Sequence, residues 1–380
     1  SLSEGAITTI RDDGNGNLWM ILSNLDGKTT YINKFEKKNH RFKHFGIHET
    51  GNGYIYASEC LSLCEGRRDQ MWIGTNNGLY EYSPDRDTFS PHFTTNDSSQ
   101  QKRFNQLTND AVYPGIIWMT VFETKSQRGT GLWRYNTNDN SMTTYSHIDG
   151  RSASLGCDSV FSIQKDSHGR LWFGTFIGLS TYSPATKDFV NYTINEKQQN
   201  PWYNAIFILA EDKAGNFWCG NQNNLLLFDT TTREFTRYRP NEKDPDALHD
   251  DGYTNVLIDR SGTLWVGTAF QGLNWLNIKR SRFSVYKNNP GQSHYFPGGG
   301  ICSFAEDKDE TFWVWSSQGL FHWYPSSDSF AVIKSMVRKR ENFPWRFGSV
   351  VADKQGAVWC STFGDGLYRY DPKNGEFKNF

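Results

Sequence analysis

The stretch Asp166-Ser167-His168-Gly169-Arg170-Leu171-Trp172-Phe173-Gly174-Thr175, continued by Gly178-Leu179-Ser180-Thr181-Tyr182-Ser183-Pro184, decides how this chain folds. An Asp and a Gly three residues apart read as a tight hairpin turn, because Asp bonds turn amides and Gly adopts positive φ. The apolar residue and Trp that follow open a short strand, which closes on a small pair, Gly174-Thr175. Gly178-Leu179 opens a further strand, which ends on Tyr182 before the turn residues Ser183-Pro184.

The same pattern runs through the chain. Eight tryptophans recur, Trp19, Trp72, Trp118, Trp172, Trp218, Trp265, Trp313 and Trp359, at spacings of 53, 46, 54, 46, 47, 48 and 46 residues. A period in the mid-forties is the length of one four-stranded propeller blade. The Asp-Gly turn returns at Asp13, Asp212, Asp259 and Asp353, and the Gly-Leu strand at Gly78, Gly131 and Gly366. A fourth strand carries spaced aromatics, as in Phe189 and Tyr192 or Phe235 and Tyr238. Each repeat thus supplies strands A to D. The run before the turn (Ser159 to Ile163, Ala205 to Leu209, Asn255 to Ile258, Ile301 to Phe304) is strand A, expected to line a central channel as a continuous apolar run. The Trp of strand B is expected to wedge between stacked blades.

The expected fold is an all-β propeller of four-stranded antiparallel blades with eight blade repeats. It forms one closed ring of seven or eight blades, or a window across two propellers. Blade boundaries fall near 1–50, 51–100, 101–150, 151–197, 198–245, 246–292, 293–340 and 341–380, with a candidate junction at 287–300, rich in Pro and Gly. Several repeats depart from the pattern. Glu310 replaces the turn Gly in repeat 7, repeat 2 reads Gly66-Arg67-Arg68-Asp69, and repeat 3 shortens the A–B turn to Tyr113-Pro114-Gly115. Repeats 1 and 3 lengthen the B–C loop at 23–30 and 123–130.

Composition excludes some partners. Lys plus Arg is 40 and Asp plus Glu is 41, a net charge of −1, so there is no electrostatic footprint for nucleic acid. No apolar run reaches the roughly 18 residues of a membrane span. The first residues, Ser1-Leu2-Ser3, show neither a starting Met nor a signal segment, so the chain reads as a piece of a longer protein. The cysteines, Cys60, Cys64, Cys157, Cys219, Cys302 and Cys360, form no C-x-x-C pair and read as small buried hydrophobes.

With these residues in place, the chain resembles the two-component regulator propeller repeats, the periplasmic sensor region of hybrid two-component systems in gut Bacteroidetes. The signature D-x-x-G-x-[LF]-W-[IVF]-G-T, followed by G-L-x-x-[YF]-[DSN]-P, stands almost whole at 166–184 and in good part at 259–277. The connection from Tyr238 to Leu248 is also similar. The resemblance implies a periplasmic sensor and a parent protein with two propellers of about seven blades each. A sandwich domain, a transmembrane helix, a histidine kinase, a receiver and a DNA-binding domain would follow. The partners it implies are a neighbouring propeller or sandwich domain and a second copy in a homodimer.

No catalytic constellation emerges. The recurrent Asp reads as a structural cap. His40, His44 and His48 lie on a D strand and the following loop, where their spacing does not converge them on a metal. Asp244, Asp246, Asp250 and Asp251 read as a solvated loop. No cofactor motif occurs. The candidate ligand site is therefore the rim of D–A and B–C loops, where residues leave the repeat pattern. It comprises Trp202, Tyr203, Tyr253, Tyr295, Trp345 and Arg346 from D–A loops, with Phe176, Phe270, Phe363, Asn223 and Gln271 from B–C loops. Asn76, Asn77, Gln222 and Gln318 stand among them. Aromatic faces stack on sugar rings and amides bond hydroxyls, so this mixture points to an oligosaccharide released from a glycan. The competing readings are a propeller enzyme, of the polysaccharide lyase or quinone-dependent dehydrogenase type, and a protein–protein interaction scaffold.

Overall fold

The computed structural model describes residues 6–13, 15–23, 30–45, 60–66, 70–94, 102–194, 204–221, 224–239, 248, 253–268, 273–277, 282–286, 295–335, 348–353, 355–361 and 366–380. They form thirty-two strands, β1 to β32, in eight antiparallel sheets of four consecutive strands each. No α-helix occurs among the described residues, and none of their segments is a helix long and apolar enough to cross a membrane. The fold is a β-propeller with eight four-stranded blades. The chain divides into two compact units, Thr9–Leu209 and Ala210–Phe380, the residues just before Thr9 being split between them.

The first unit holds blades 1 to 4. Their A strands are β1 (Ala6–Asp12), β5 (Cys60–Glu65), β9 (Lys102–Asn109) and β13 (Val160–Lys165). Their B strands are β2 (Asn17–Ser23), β6 (Met71–Thr75), β10 (Ile116–Glu123) and β14 (Leu171–Thr175). Trp19 packs with Ile32 and Phe45 of its own blade and with Ile73, Tyr80 and Tyr82 of blade 2. Trp72 meets Ile117, Met119 and Tyr135 of blade 3. Trp118 meets Leu171, Phe173 and Phe189 of blade 4. Neither sheet of such a pair can bury its apolar face alone, so stacking is what stabilises both.

The second unit repeats the scheme in blades 5 to 8. Trp218 packs on Leu264 and Val266, Trp265 on Phe312 and Trp323, and Trp313 on Val350 and Tyr368. All eight repeat indoles are at most 3% exposed. Cys219 and Cys360 are buried free thiols beside these Trp residues, as their apolar neighbours in other blades suggest.

The signature residues each have a physical task. Gly169 takes φ +80°, in the left-handed region that favours glycine. A Cβ on Gly74 would come within 2.5 Å of the Phe104 carbonyl oxygen in the next blade, so the small residue after Trp lets strands approach. Thr175 Oγ1 donates to the Gly178 carbonyl at 3.0 Å and accepts from the Ile177 amide at 3.3 Å, which ties the B–C turn.

The recurrent Asp does more than cap its turn. One oxygen, Oδ1, accepts from turn amides, as in Gln355 N at 3.0 Å and Ala357 N at 2.9 Å on Asp353. The other, Oδ2, accepts from the indole Nε1 six residues on, at 2.8 Å from Trp359. The same bond joins Asp13 to Trp19, Asp166 to Trp172, Asp259 to Trp265 and Asp307 to Trp313. Blade 3 corrects the expectation of a shortened turn. Asp110 supplies the carboxylate there, bonding Trp118 Nε1 at 3.0 Å across eight residues. The turn is two residues longer than the pattern, with Tyr113-Pro114-Gly115 as the insertion's far end. In blade 5, Asp212 binds the amides of Ala214 and Asn216, but Trp218 Nε1 has no partner among the described residues. Glu310 adopts φ +62° at the position glycine holds elsewhere.

Candidate ligand-binding site

In the first unit, four neighbouring A strands enclose a cavity of about 560 Å³. Its walls are Thr9 and Arg11 of β1, residues 62–65 of β5, residues 105–109 of β9 and residues 163–165 of β13. These are the second halves of the strands, next to the A–B turns. The expected continuous apolar run is corrected here. Side chains alternate between buried and half-buried, as the start of β13 shows, with Val160 and Ser162 buried and Phe161 and Ile163 half-buried. One face packs between blades and the other meets the cavity, so period-2 patterning holds even for an inner strand.

The lining is chiefly amide and hydroxyl. Gln106 Oε1 accepts from the Ile163 amide at 3.0 Å, and Asn109 Nδ2 donates to the Glu65 carbonyl at 3.1 Å. Lys165 Nζ donates to Asn109 Oδ1 at 2.5 Å. These bonds cross from strand to strand and hold the polar groups in place. Asn105 Oδ1 is buried in the wall and has no hydrogen-bond partner among the described residues. A buried acceptor left unbonded costs about 1–3 kcal/mol, so this atom favours a donor brought from outside. Arg11, Lys165 and Glu65 are the charged members. Cys64 also lines the cavity, and burial pushes its thiol up to about 12. It is therefore protonated near neutral pH and a poor nucleophile.

At the opposite ends of the strands lies an aromatic cluster. Phe161, near the start of β13, sits 4.4 Å from Phe207, 5.7 Å from Phe122 and 6.5 Å from Phe176, centroid to centroid. Phe207 is 38% exposed. Of the expected rim residues, Phe176 belongs to this cluster, half-buried. Tyr295, in the second unit, is exposed. Tyr253 begins β21 (Tyr253–Ile258), paired with Thr268. Trp202, Tyr203, Asn223, Phe270, Gln271, Trp345, Arg346 and Phe363 lie outside the described residues, as do Gln222, the acidic run 244–247, 250 and 251, and His48. Asn76 and Asn77 are buried in the B–C turn of blade 2.

Sequence reading did not find the cavity, because its polar residues sit at ordinary strand positions. The available signal was the interruption of strand A by amides, as in Asn105-Gln106 and Gln164. Phe122, Phe161 and Phe207 were missed because each is also a normal strand or connection residue.

Residues 154–176 match the family model described as the two component regulator propeller. This segment contains the Asp166 turn, the Trp172 wedge and the Thr175 cap whose bonds are given above. Solved structures similar to the whole chain include the extracellular domain of a putative one component system from B. thetaiotaomicron. It is 16% identical at a TM-score of 0.42, over 100% of this chain and 61% of that one. The extracellular domain of a putative hybrid two component system from the same organism is 16% identical, TM-score 0.30, covering 100% and 71%. YCF48 with a bound peptide is 9% identical, TM-score 0.52, covering 84% and 92%; that likeness is one of fold. The chain spans about three fifths of the length of the first of these. No curated protein sequence matches the chain.

Proposed function

We propose that this chain is the ligand-sensing propeller of a hybrid two-component regulator, placed outside the cytoplasm, and that its ligand is a glycan-derived oligosaccharide. The observation that carries the reading is the cavity of the first unit, about 560 Å³ and walled by side-chain amides and hydroxyls. Its volume lies within the range of small-molecule sites. Its fixed donors and acceptors match sugar hydroxyls, and Asn105 Oδ1 lacks a partner that a hydroxyl would supply. The propeller repeat at 154–176 supports the regulatory class. The aromatic group around Phe161 offers stacking faces at the other end of the same strands.

Signalling would follow from differential binding. A ligand that bridges several A strands favours one arrangement of blades or dimer partners, and that bias is passed on to the remainder of the regulator. Titration calorimetry of the chain against a panel of glycan fragments tests the reading. Saturable heat from one fragment class, lost when Asn105 and Gln106 are replaced, supports it. Silence across the panel from well-folded protein removes the carbohydrate ligand.

A further inference from the structure

A second cleft lies between blades 6 and 7, in the second unit, and shares no residue with the channel cavity. It has a volume of about 270 Å³. Its aromatic walls are Trp265, Trp275, Tyr286, Phe312 and Trp323. Four carboxylates line it, Asp259, Glu306, Glu310 and Asp328, and among the described residues no Lys, Arg or His does.

Several repeats place a basic side chain over the equivalent ring. In each blade one residue of strand C pairs across from the repeat Trp of strand B. In blade 1 that residue is Lys34, whose Nζ lies 5.3 Å from the Trp19 ring centroid and 5.0 Å from that of Tyr82. In blade 3 it is Arg134, 6.0 Å over Trp118, and in blade 8 it is Arg369, 5.8 Å over Trp359. In blade 7 it is His322, stacked at 3.7 Å on Trp313. Blade 4 reaches the same end with Arg170, 5.9 Å over Trp172. These blades place their own cation or imidazole on the indole, a favourable use of the ring's negative face.

In blade 6 the residue across from Trp265 is Trp275. The position that holds Lys34, Arg134, His322 and Arg369 in blades 1, 3, 7 and 8, and Glu81, Thr181 and Leu227 in blades 2, 4 and 5, adds a further aromatic wall here. Trp323 closes the group, 4.4 Å from Trp265 and edge-on. Tyr286 Oη donates to Asp328, which holds one carboxylate at the wall. Glu306 is partly balanced by Arg260, which donates its amide at 3.0 Å and sets its Nε 3.6 Å away. Even so, burial raises the Glu306 pKa, and Asp259 and Glu310 push the same way. The lining carries an excess of negative charge. The Nε1 groups of Trp323, a residue 6% exposed, and of Trp275 act on Tyr286 Oη and favour its ionisation, and neither makes a well-formed hydrogen bond among the described residues. Both indole N–H groups can therefore donate to an acceptor brought into the cleft.

We propose that this cleft binds a small alkylated ammonium ion bearing a hydroxyl, of the choline type, supplying from solution the cation that blades 1, 3, 4 and 8 supply themselves. The aromatic faces take the ammonium, the carboxylates balance its charge, and the ligand's hydroxyl oxygen accepts from the indoles.

The test is a titration of choline chloride into the whole chain, followed by tryptophan fluorescence and calorimetry. Sodium chloride serves as the salt control. The uncharged isostere 3,3-dimethylbutan-1-ol measures the contribution of charge, and it should bind at least about tenfold more weakly. Trp275→Lys copies Lys34 of blade 1 and fills the cleft with a tethered cation, so it should abolish choline binding. Trp275→Leu copies Leu227, which faces Trp218 in blade 5, and should weaken binding by about tenfold through loss of one ring. Circular dichroism verifies that each variant is folded, and the two replacements keep the test open should one fail to fold. The proposal is overturned by no saturable signal with choline, by equal affinity for the isostere, or by unchanged binding in a folded variant.

Discussion

The Asp–Trp pair is the smallest unit that explains the repeat. A carboxylate that binds turn amides through one oxygen and an indole N–H through the other fixes the turn and the wedge together. Asp353 does this at 3.0, 2.9 and 2.8 Å. Asp353→Ala leaves these donors without their acceptor, and a lost bond to a charged group costs about 1.5–3 kcal/mol. The midpoint of urea unfolding should fall accordingly. Asp166 adds a pH dependence. Burial opposes its ionisation, but bonds from the Trp172 indole and from Arg170 outweigh burial and hold its carboxyl below the ordinary range. An acid with a lowered native pKa contributes stability above its unfolded value, about 3.9, and loses it as pH falls through the native one. The stability gap between wild type and Asp166→Asn should therefore be widest near neutral pH and close in acid, as denaturant titrations at stepped pH would show. The capping role was legible from the Asp-x-x-Gly pattern. The indole bond was not, because it joins atoms whose proximity exists only once the hairpin has formed. Asp110 was hidden by an insertion that breaks the spacing.

At the scale of the blade, the eight indoles carry the packing. Trp118 is fully buried, touching Tyr145 of its own blade at 5.5 Å and Tyr182 and Phe173 of blade 4 at 4.9 and 5.7 Å. Trp118→Ala empties an interface shared by two sheets and should cost about 3–5 kcal/mol. Val190, on the outer strand of blade 4, is 45% exposed, and Val190→Thr should change stability by less than about 0.5 kcal/mol. Thermal melts of the two variants measure the contrast. Strand type and order were readable because Trp, Gly-Leu and the spaced aromatics each mark one strand. Strand A was readable in position but not in character. Its apolar residues were visible, whereas the alternate polar residues take their meaning from three neighbouring blades, which no single repeat contains.

At the scale of the molecule, the proposed sites fall where repeats differ. The cavity of the first unit depends on Arg11, Asn105 and Lys165 arriving from three blades at one place, a convergence written in the arrangement of blades and not in the motif. The two ends of these strands offer separable tests. Asn105→Ala removes an acceptor that the described residues leave unbonded. It should therefore spare stability while weakening a bound sugar about 2- to 10-fold, the worth of one neutral hydrogen bond. Lys165→Ala removes a charged donor and should weaken binding more, by about 10- to 100-fold. Phe207→Ala, in the aromatic cluster, removes a stacking face and tests the rim in the same way. Calorimetry with one active fragment then assigns the ligand. Loss confined to the Asn105 and Lys165 variants puts it in the amide-walled cavity, loss confined to Phe207→Ala puts it on the aromatic cluster, and loss in all three means an oligosaccharide long enough to reach both.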